Sequence, residues 1–188
     1  LFFKRNEWLG FQDFYKKYIE LNEPKLKELY SSHYKKELSL ESFLSGLKAR
    51  LYRTQFGFLT EYHAYFLAKI VFGEDNVKRS VDLDIICVDF QIYFENNLYN
   101  IHIFVDTERS WDYRNIKSRY KNVDNHTGIH VNLPYSLKDD LIHSLRFLPN
   151  RFGVYKKEYF EYLKQEISKS NIKNNNIIGM NDNGFKYQ

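Results

Sequence analysis

The chain has 188 residues, enough for one domain with a helical extension and enough to bury a core. Hydrophobic residues make up 43% and charged ones 28%, the balance of a globular protein, and the formal charge of +4 tilts mildly toward a polyanionic partner. The single cysteine, Cys87, excludes an internal disulfide and any multi-Cys zinc module, and it fits a reducing, cytoplasmic compartment. No apolar run approaches the roughly 18–20 residues that span a bilayer, and no signal peptide is visible. Leu1 stands where a complete chain would carry Met, so a fragment with a missing partner domain is one expectation; a homodimer formed through the N-terminal helices is a separate one.

The first 75 residues read as helical. From Asn6 to Leu21, Trp8, Phe11, Phe14, Tyr15 and Tyr18 recur three and four apart. Pro24 is placed to open a second helix, with Leu26, Leu29 and Tyr30 on its apolar side. Ser39 suits the N-cap of a helix from Leu40 to Tyr52, in which Phe43, Leu47 and Leu51 repeat every four residues. Gly57 precedes another, from Phe58 to Phe72, rich in aromatics and ending before Gly73.

Strands follow. Val77 to Phe94 reads as one long bent strand or as two joined by a bulge, and Leu98 to Val105 as its partner across a polar turn at Glu95-Asn96-Asn97. Ser110 to Asn122 reads as a helix, and Gly128 to Leu133 as a buried strand stopped by Pro134. Lys138 to Leu148 and Tyr155 to Ser168 read as two more helices, and the Asn-rich tail from Asn171 as mobile.

The most informative stretch is Val81 to Arg109. Its first arm carries Asp82, Asp84 and Asp89, and its second carries Asp106 and Glu108. An unpaired carboxylate is costly to bury in a sheet, so apolar strands bearing several of them need a reason. A divalent-metal site is one. Asp84 lies twelve residues before Asn96 and Asp106 ten after it, so a regular hairpin sets the two roughly opposite. The bland reading is strand-end carboxylates that face solvent or pair with Lys78, Arg79 and Arg109. The segment Arg109–Lys121 is the strongest basic feature, with Arg114, Lys117 and Lys121 on one helical face and Tyr113, Ile116 and Tyr120 on another. The six histidines are scattered. His126 and His130 cross from a loop into a strand, which argues against helical zinc-ligand geometry. His102 alternates with Ile101 and Ile103, and His63 sits near Glu61.

From Gly57 onward the expected order is helix, two or three meandering strands, helix, strand. With the carboxylates above, that order resembles the αβββαβ core of the PD-(D/E)XK nuclease superfamily, which includes many restriction enzymes, over roughly Gly57 to Leu133. The resemblance implies an α/β fold with a central mixed sheet. Residues 1–56 would form an N-terminal helical region, 57–170 the nuclease-like core and 171–188 a mobile tail. It also implies a metal-dependent DNA endonuclease related to restriction or defence, with Mg²⁺ or Mn²⁺ as cofactor and no membrane partner. Mg²⁺ is hard and takes carboxylate and water oxygens at about 2.1 Å.

In such nucleases an Asp on one strand and a (D/E)-x-K on the next hold the metal, and an acidic residue on the preceding helix often completes the shell. The implied metal ligands here are Glu61, Asp84 and Asp106, with Asp89 of the acidic-x-Gln run Asp89-Phe90-Gln91 as a second candidate expected on the opposite face from Asp84, so which face holds the site stays open. Asp106-Thr107-Glu108 stands as the (D/E)-x-K element, with Glu108 in the lysine's place. That departure leaves open which group orients the water, and Lys117 or Arg109 is expected to supply the charge. The implied catalytic set is then Asp84, Asp106, Glu108 and Lys117, with Arg109, Arg114, Lys117 and Lys121 gripping phosphates.

Two other readings compete. Asp82-Leu83-Asp84 followed by Gly128-Ile129-His130-Val131 loosely resembles the DxD and GxH elements of archaeo-eukaryotic primases, which implies a nucleotidyltransferase. The third reading is a non-catalytic module that binds nucleic acid or protein through the basic helix and surface aromatics.

Overall fold

The structure, a computed structural model, describes residues 9–120, 127–137, 145–149, 151–169, 177–181 and 184–187. The chain divides into two compact units, Leu1–Phe56 and Gly57–Gln188.

In the first unit, α1 (Phe11–Leu29) runs on into one π-helical turn, Tyr30–Tyr34. Pro24 lies inside α1 and does not open a second helix. Proline removes one backbone bond there. Aromatic contacts compensate: Phe11 meets Tyr52 edge-on at 5.1 Å, and Tyr30 and Tyr34 close on Phe43. Ser39 caps the next helix as expected, its Oγ accepting the Ser42 N–H at 3.1 Å. That helix, α2, spans Leu40–Phe72 without a break. The two helices expected on either side of Gly57 are one. A mid-helix glycine costs only about 1 kcal/mol, which the apolar runs flanking it outweigh.

In the second unit, Gly73 ends α2 at φ 98°, with its N–H on the Lys69 carbonyl. A 3₁₀ turn leads to β1 (Val77–Lys78), then α3 (Val81–Ile85), β2 (Phe90–Phe94), β3 (Asn97–Val105), α4 (Glu108–Tyr120) and β4 (Ile129–Tyr135). The sheet order is β1-β2-β3-β4, antiparallel except for the parallel β3–β4 pair. This is the expected mixed α/β core with its αβββαβ order, carrying α3 as an insertion. The turn falls where the sequence put it. Glu95 and Asn96 sit at φ 48° and 62°, as a type I′ hairpin requires, and Phe94 pairs with Asn97.

The first arm departs from expectation. Val81–Ile85 is helical, because Ser80 takes the Leu83 N–H on its Oγ and so starts a helical turn. Val81 is 73% exposed and Ile85 61%, so among the described residues the apolar run read as a strand is left uncovered. Strand β4 continues through Pro134 to Tyr135. It lies at the end of the strand order, where a missing N–H is tolerated. Gly128 lets it start: a Cβ there would stand 2.8 Å from the Leu98 carbonyl oxygen.

Of the helix expected at Lys138–Leu148, residues 138–144 lie outside the described residues, and Leu145–Phe147 is a strand, β5, paired with β6 (Gly153–Tyr155). Helix α5 is Lys157–Ser168, beginning after Tyr155. The tail expected to be mobile holds a hairpin, β7 (Ile177–Asn181) with β8 (Gly184–Tyr187).

Phe90, Ile92, Ile101, Val131 and Leu133 are fully buried. On their face Tyr65 and Phe72 of α2 meet Phe90 and Phe94, while Tyr155 and Tyr159 bond the carbonyls of Leu133 and Pro134. Phe104 points to the other face and meets Trp111 of α4 at 4.8 Å. The sheet is thus covered on both sides.

Candidate active site

A cavity of about 640 Å³ opens where α2, α3, the head of β2 and the start of α4 converge. Glu61, Asp84 and Asp89 line one part of it, and Arg109, Tyr113 and Arg114 another.

Each acid arrives by a different route. Glu61 projects from α2 and pairs with Arg79, from the link between β1 and α3. The guanidinium of Arg79 lies over Phe58 and Tyr62, at 5.4 and 5.5 Å from the ring centres, so the pair is fixed and largely shielded. Burial pushes the Glu61 carboxyl up to about 8. The Asp89 and Asp84 charges push the same way, and Arg79 does not offset them. Asp89 and Asp84 therefore lie close enough to act electrostatically on Glu61. Asp89 sits one residue before β2, its N–H on the Ile101 carbonyl at 3.0 Å and its Oδ2 accepting the Ile103 N–H at 2.5 Å. Asp84 is carried on α3, which stops where Cys87 turns left-handed at φ 62°.

The basic wall follows from a second capped start. Thr107 Oγ1 accepts the Ser110 N–H at 3.3 Å and opens α4. The helix then presents Arg109, Tyr113 and Arg114 to the cavity, and Arg114 Nε donates to Asn132 Oδ1 at 3.1 Å.

The structure brings together Glu61, Asp84, Asp89, Arg109 and Arg114. It does not set Asp84 opposite Asp106. The ladder pairs Phe90 with Ile101, and the chain has left the sheet before it reaches Asp84. Asp106 lies just past β3, outside the cavity lining, and its Oδ1 accepts the Trp111 Nε1–H at 2.8 Å. Glu108 is exposed on the first turn of α4. Lys117 falls on α4, but its side chain and all of Lys121 and His126 lie outside the described residues. Arg79 pairs with Glu61 on α2. Sequence reasoning missed His102 as a lining residue. Its signal was a lone imidazole in the apolar run Ile101 to Val105.

Mg²⁺ usually takes one or two carboxylates and keeps several waters. Carboxylate oxygens are the hard donors this ion takes, but among the described residues no group of three or more His, Cys, Asp or Glu side chains is placed to hold a metal ion. One or two of these carboxylates, completed by water, would have to serve. Among the described residues, no helix is long and apolar enough to cross a membrane.

A mixed sheet in αβββαβ order, with acids gathered at the head of its hairpin, defines a restriction-endonuclease-like α/β protein. The chain matches the model of the TaqI restriction endonuclease family over residues 2–176 and belongs to that family. It matches no curated protein and no solved structure.

Proposed function

We propose that this chain is a divalent-metal-dependent DNA endonuclease of the PD-(D/E)XK type, using Mg²⁺ or Mn²⁺ to hydrolyse a phosphodiester bond. One observation carries the reading: crowded carboxylates and arginines line the same cavity. Of Glu61, Asp84 and Asp89, one or two would hold the cation together with water, and the cation supplies a Lewis acid and a nucleophilic hydroxide when bound. The Ile103 N–H holds one Asp89 carboxylate oxygen in place. Arg109 and Arg114 would take the non-bridging phosphate oxygens. Lys117 and Lys121, further along the chain, would extend the phosphate contacts. Asp106, bonded to Trp111, and Glu108, on the first turn of α4, lie outside the cavity lining and are given no metal in this reading. Family membership supports duplex DNA as the substrate.

The primase reading loses its footing, since Asp82 and Asp84 lie on a helix and His130 is 7% exposed within the sheet. The test is incubation of the purified chain with plasmid DNA and Mg²⁺ or Mn²⁺. The expected result is cleavage that EDTA stops and that Asp89→Asn removes. Cleavage unaffected by EDTA would overturn the metal assignment. Binding without cleavage across metals and substrates would favour the non-catalytic module.

A further inference from the structure

The sheet carries a polar row through its interior. Gln91 on β2, Asn100 and His102 on β3, and His130 on β4 are neighbours by register or by alternation. Asn100 is 0% exposed, His102 2% and His130 7%. Polar groups so buried are stable only when bonded. These are, and their bonds have a direction.

The Cys87 carbonyl can only accept, so the His102 nitrogen 2.8 Å away, Nδ1, carries its proton. In a neutral ring Nε2 is then an acceptor. Its partner at 2.9 Å, His130 Nδ1, must carry the next proton. His130 Nε2 is left as an acceptor facing the Asn100 amide, whose Nδ2 lies 3.4 Å away. Asn100 Oδ1 accepts from Gln91 Nε2 at 2.8 Å. The bonds from Gln91 to His102 all run toward Cys87, while the Asn100 amide also donates to the Thr127 carbonyl at 3.2 Å. Burial, helped by the Arg114 and His130 charges, pushes His102 well below the usual imidazole range. The ring therefore stays neutral and the direction holds. Both nitrogens of His102 are engaged, so it is poorly placed to accept a proton from water. The two rings bond to each other and do not converge on a common point, which argues against a zinc pair.

What the row terminates on is informative. Cys87 is a non-glycine residue in the left-handed region, a conformation that persists only where the surroundings hold it. It lies between Asp84 and Asp89, on the short link that delivers both to the cavity.

We propose that His102 and His130 are positioning residues: the imidazole pair clamps the Cys87 carbonyl and so fixes Asp84 and Asp89 relative to each other across the left-handed turn. The functional part of this rests on the reading of those carboxylates as the metal site; the clamp itself does not.

The test begins with the metal-free wild type. Nitrogen-15 NMR of the imidazoles should show both rings neutral and protonated at Nδ1, with coupling across the His130–His102 bond. A proton on Nε2 of either ring would overturn the proposal. Next come His102→Leu, which removes the donor, and His102→Asn, whose amide can replace Nδ1. Amide hydrogen exchange at Cys87, Val88 and Asp89 should speed at least tenfold in His102→Leu and recover in His102→Asn. Exchange at Tyr99, Ile101 and Val131 should stay slow in both. Mn²⁺ titration should show at least a tenfold loss of affinity in the Leu variant and recovery in the Asn variant. Wild-type exchange at the turn in a folded His102→Leu would overturn the clamp. If the Leu variant does not fold, the wild-type tautomers and the Asn variant decide. Wild type that binds no Mn²⁺ while the exchange arm behaves as stated would sink the metal reading and leave the clamp standing.

Discussion

The chain has two acidic clusters that look alike in sequence and differ in physical state. Asp82 to Asp89 and Asp106 to Glu108 each follow an apolar or mixed run, and each is introduced by a hydroxyl residue that caps a helix, Ser80 or Thr107. In the second cluster, Asp106 bonds Trp111, and Glu108 sits exposed at a helix N-terminus, where a negative charge is favoured. Those charges have local employment. In the first cluster, Asp84 and Asp89 share a cavity with Glu61, whose carboxyl is pushed up to about 8, first by burial and then by the Asp89 and Asp84 charges. The lesson is that a place in a shared cavity, and not spacing in the sequence, separates a structural acid from a candidate ligand.

The sharpest way to break this comparison is to remove one acid from each cluster. Asp89→Asn should lower metal-dependent cleavage by about 10³-fold, since one Mg²⁺ ligand is worth several kcal/mol of barrier. Asp106→Asn should leave cleavage within about threefold and cost about 1 kcal/mol of stability through Trp111. Cleavage rates and urea midpoints on the same preparations decide it. Loss of activity in Asp106→Asn with unchanged stability would reverse the assignment.

Legibility followed the same division. The polar turn at Glu95-Asn96-Asn97, the mixed sheet and the helix after Asp106 were readable, because turn residues, apolar runs and helical periodicity are local signals. Glu61 and Asp89 were readable as candidates from their residue type and position. What failed was the pairing of Asp84 with Asp106. The segment Val81–Ile85 alternates apolar and acidic like a strand, but a cap at Ser80 and the lack of any covering layer make it a helix. Gly57 and Pro24 were read as helix boundaries because each weakens a helix, yet packing on either side outweighs a single weak position. The His102–Cys87 bond spans fifteen residues and depends on sheet register, so no local pattern announces it.

A second test uses pH. The Glu61 carboxyl stands near its ordinary 4.5 when unfolded and at about 8 when folded. A carboxyl raised on folding contributes stability that is full below the lower value and lost as pH rises through the higher one. In metal-free protein, wild type should therefore lose stability from about pH 5 to about pH 8 relative to Glu61→Gln, which cannot titrate. The gap in Tm between the two should widen across that window and level off above it. Parallel curves would mean that Asp84 and Asp89 do not crowd Glu61.

The basic wall predicts a smaller, salt-dependent effect. Arg109→Ala should reduce the log–log salt slope of duplex binding by about 0.9, one phosphate contact. Weaker binding with an unchanged slope would assign Arg109 to packing.

The finest distinction lies in the two caps. Ser80→Ala and Thr107→Ala each remove one hydroxyl acceptor from a helix start, a change worth about 1 kcal/mol. The consequences should differ because the helices differ in what they support. Helix α3 has five residues and none buried, so its loss should scarcely move global unfolding. It carries Asp84, however, so Ser80→Ala should lower cleavage several-fold and weaken Mn²⁺ binding. Helix α4 packs Trp111 on Phe104 and bonds Arg114 to Asn132. Thr107→Ala should therefore appear first in the urea midpoint, with Mn²⁺ affinity unchanged. Parallel measurement of unfolding and Mn²⁺ binding on both variants separates the outcomes. If Ser80→Ala lowers stability and spares the metal, α3 is a structural turn, and Asp84 does not belong with Glu61 and Asp89.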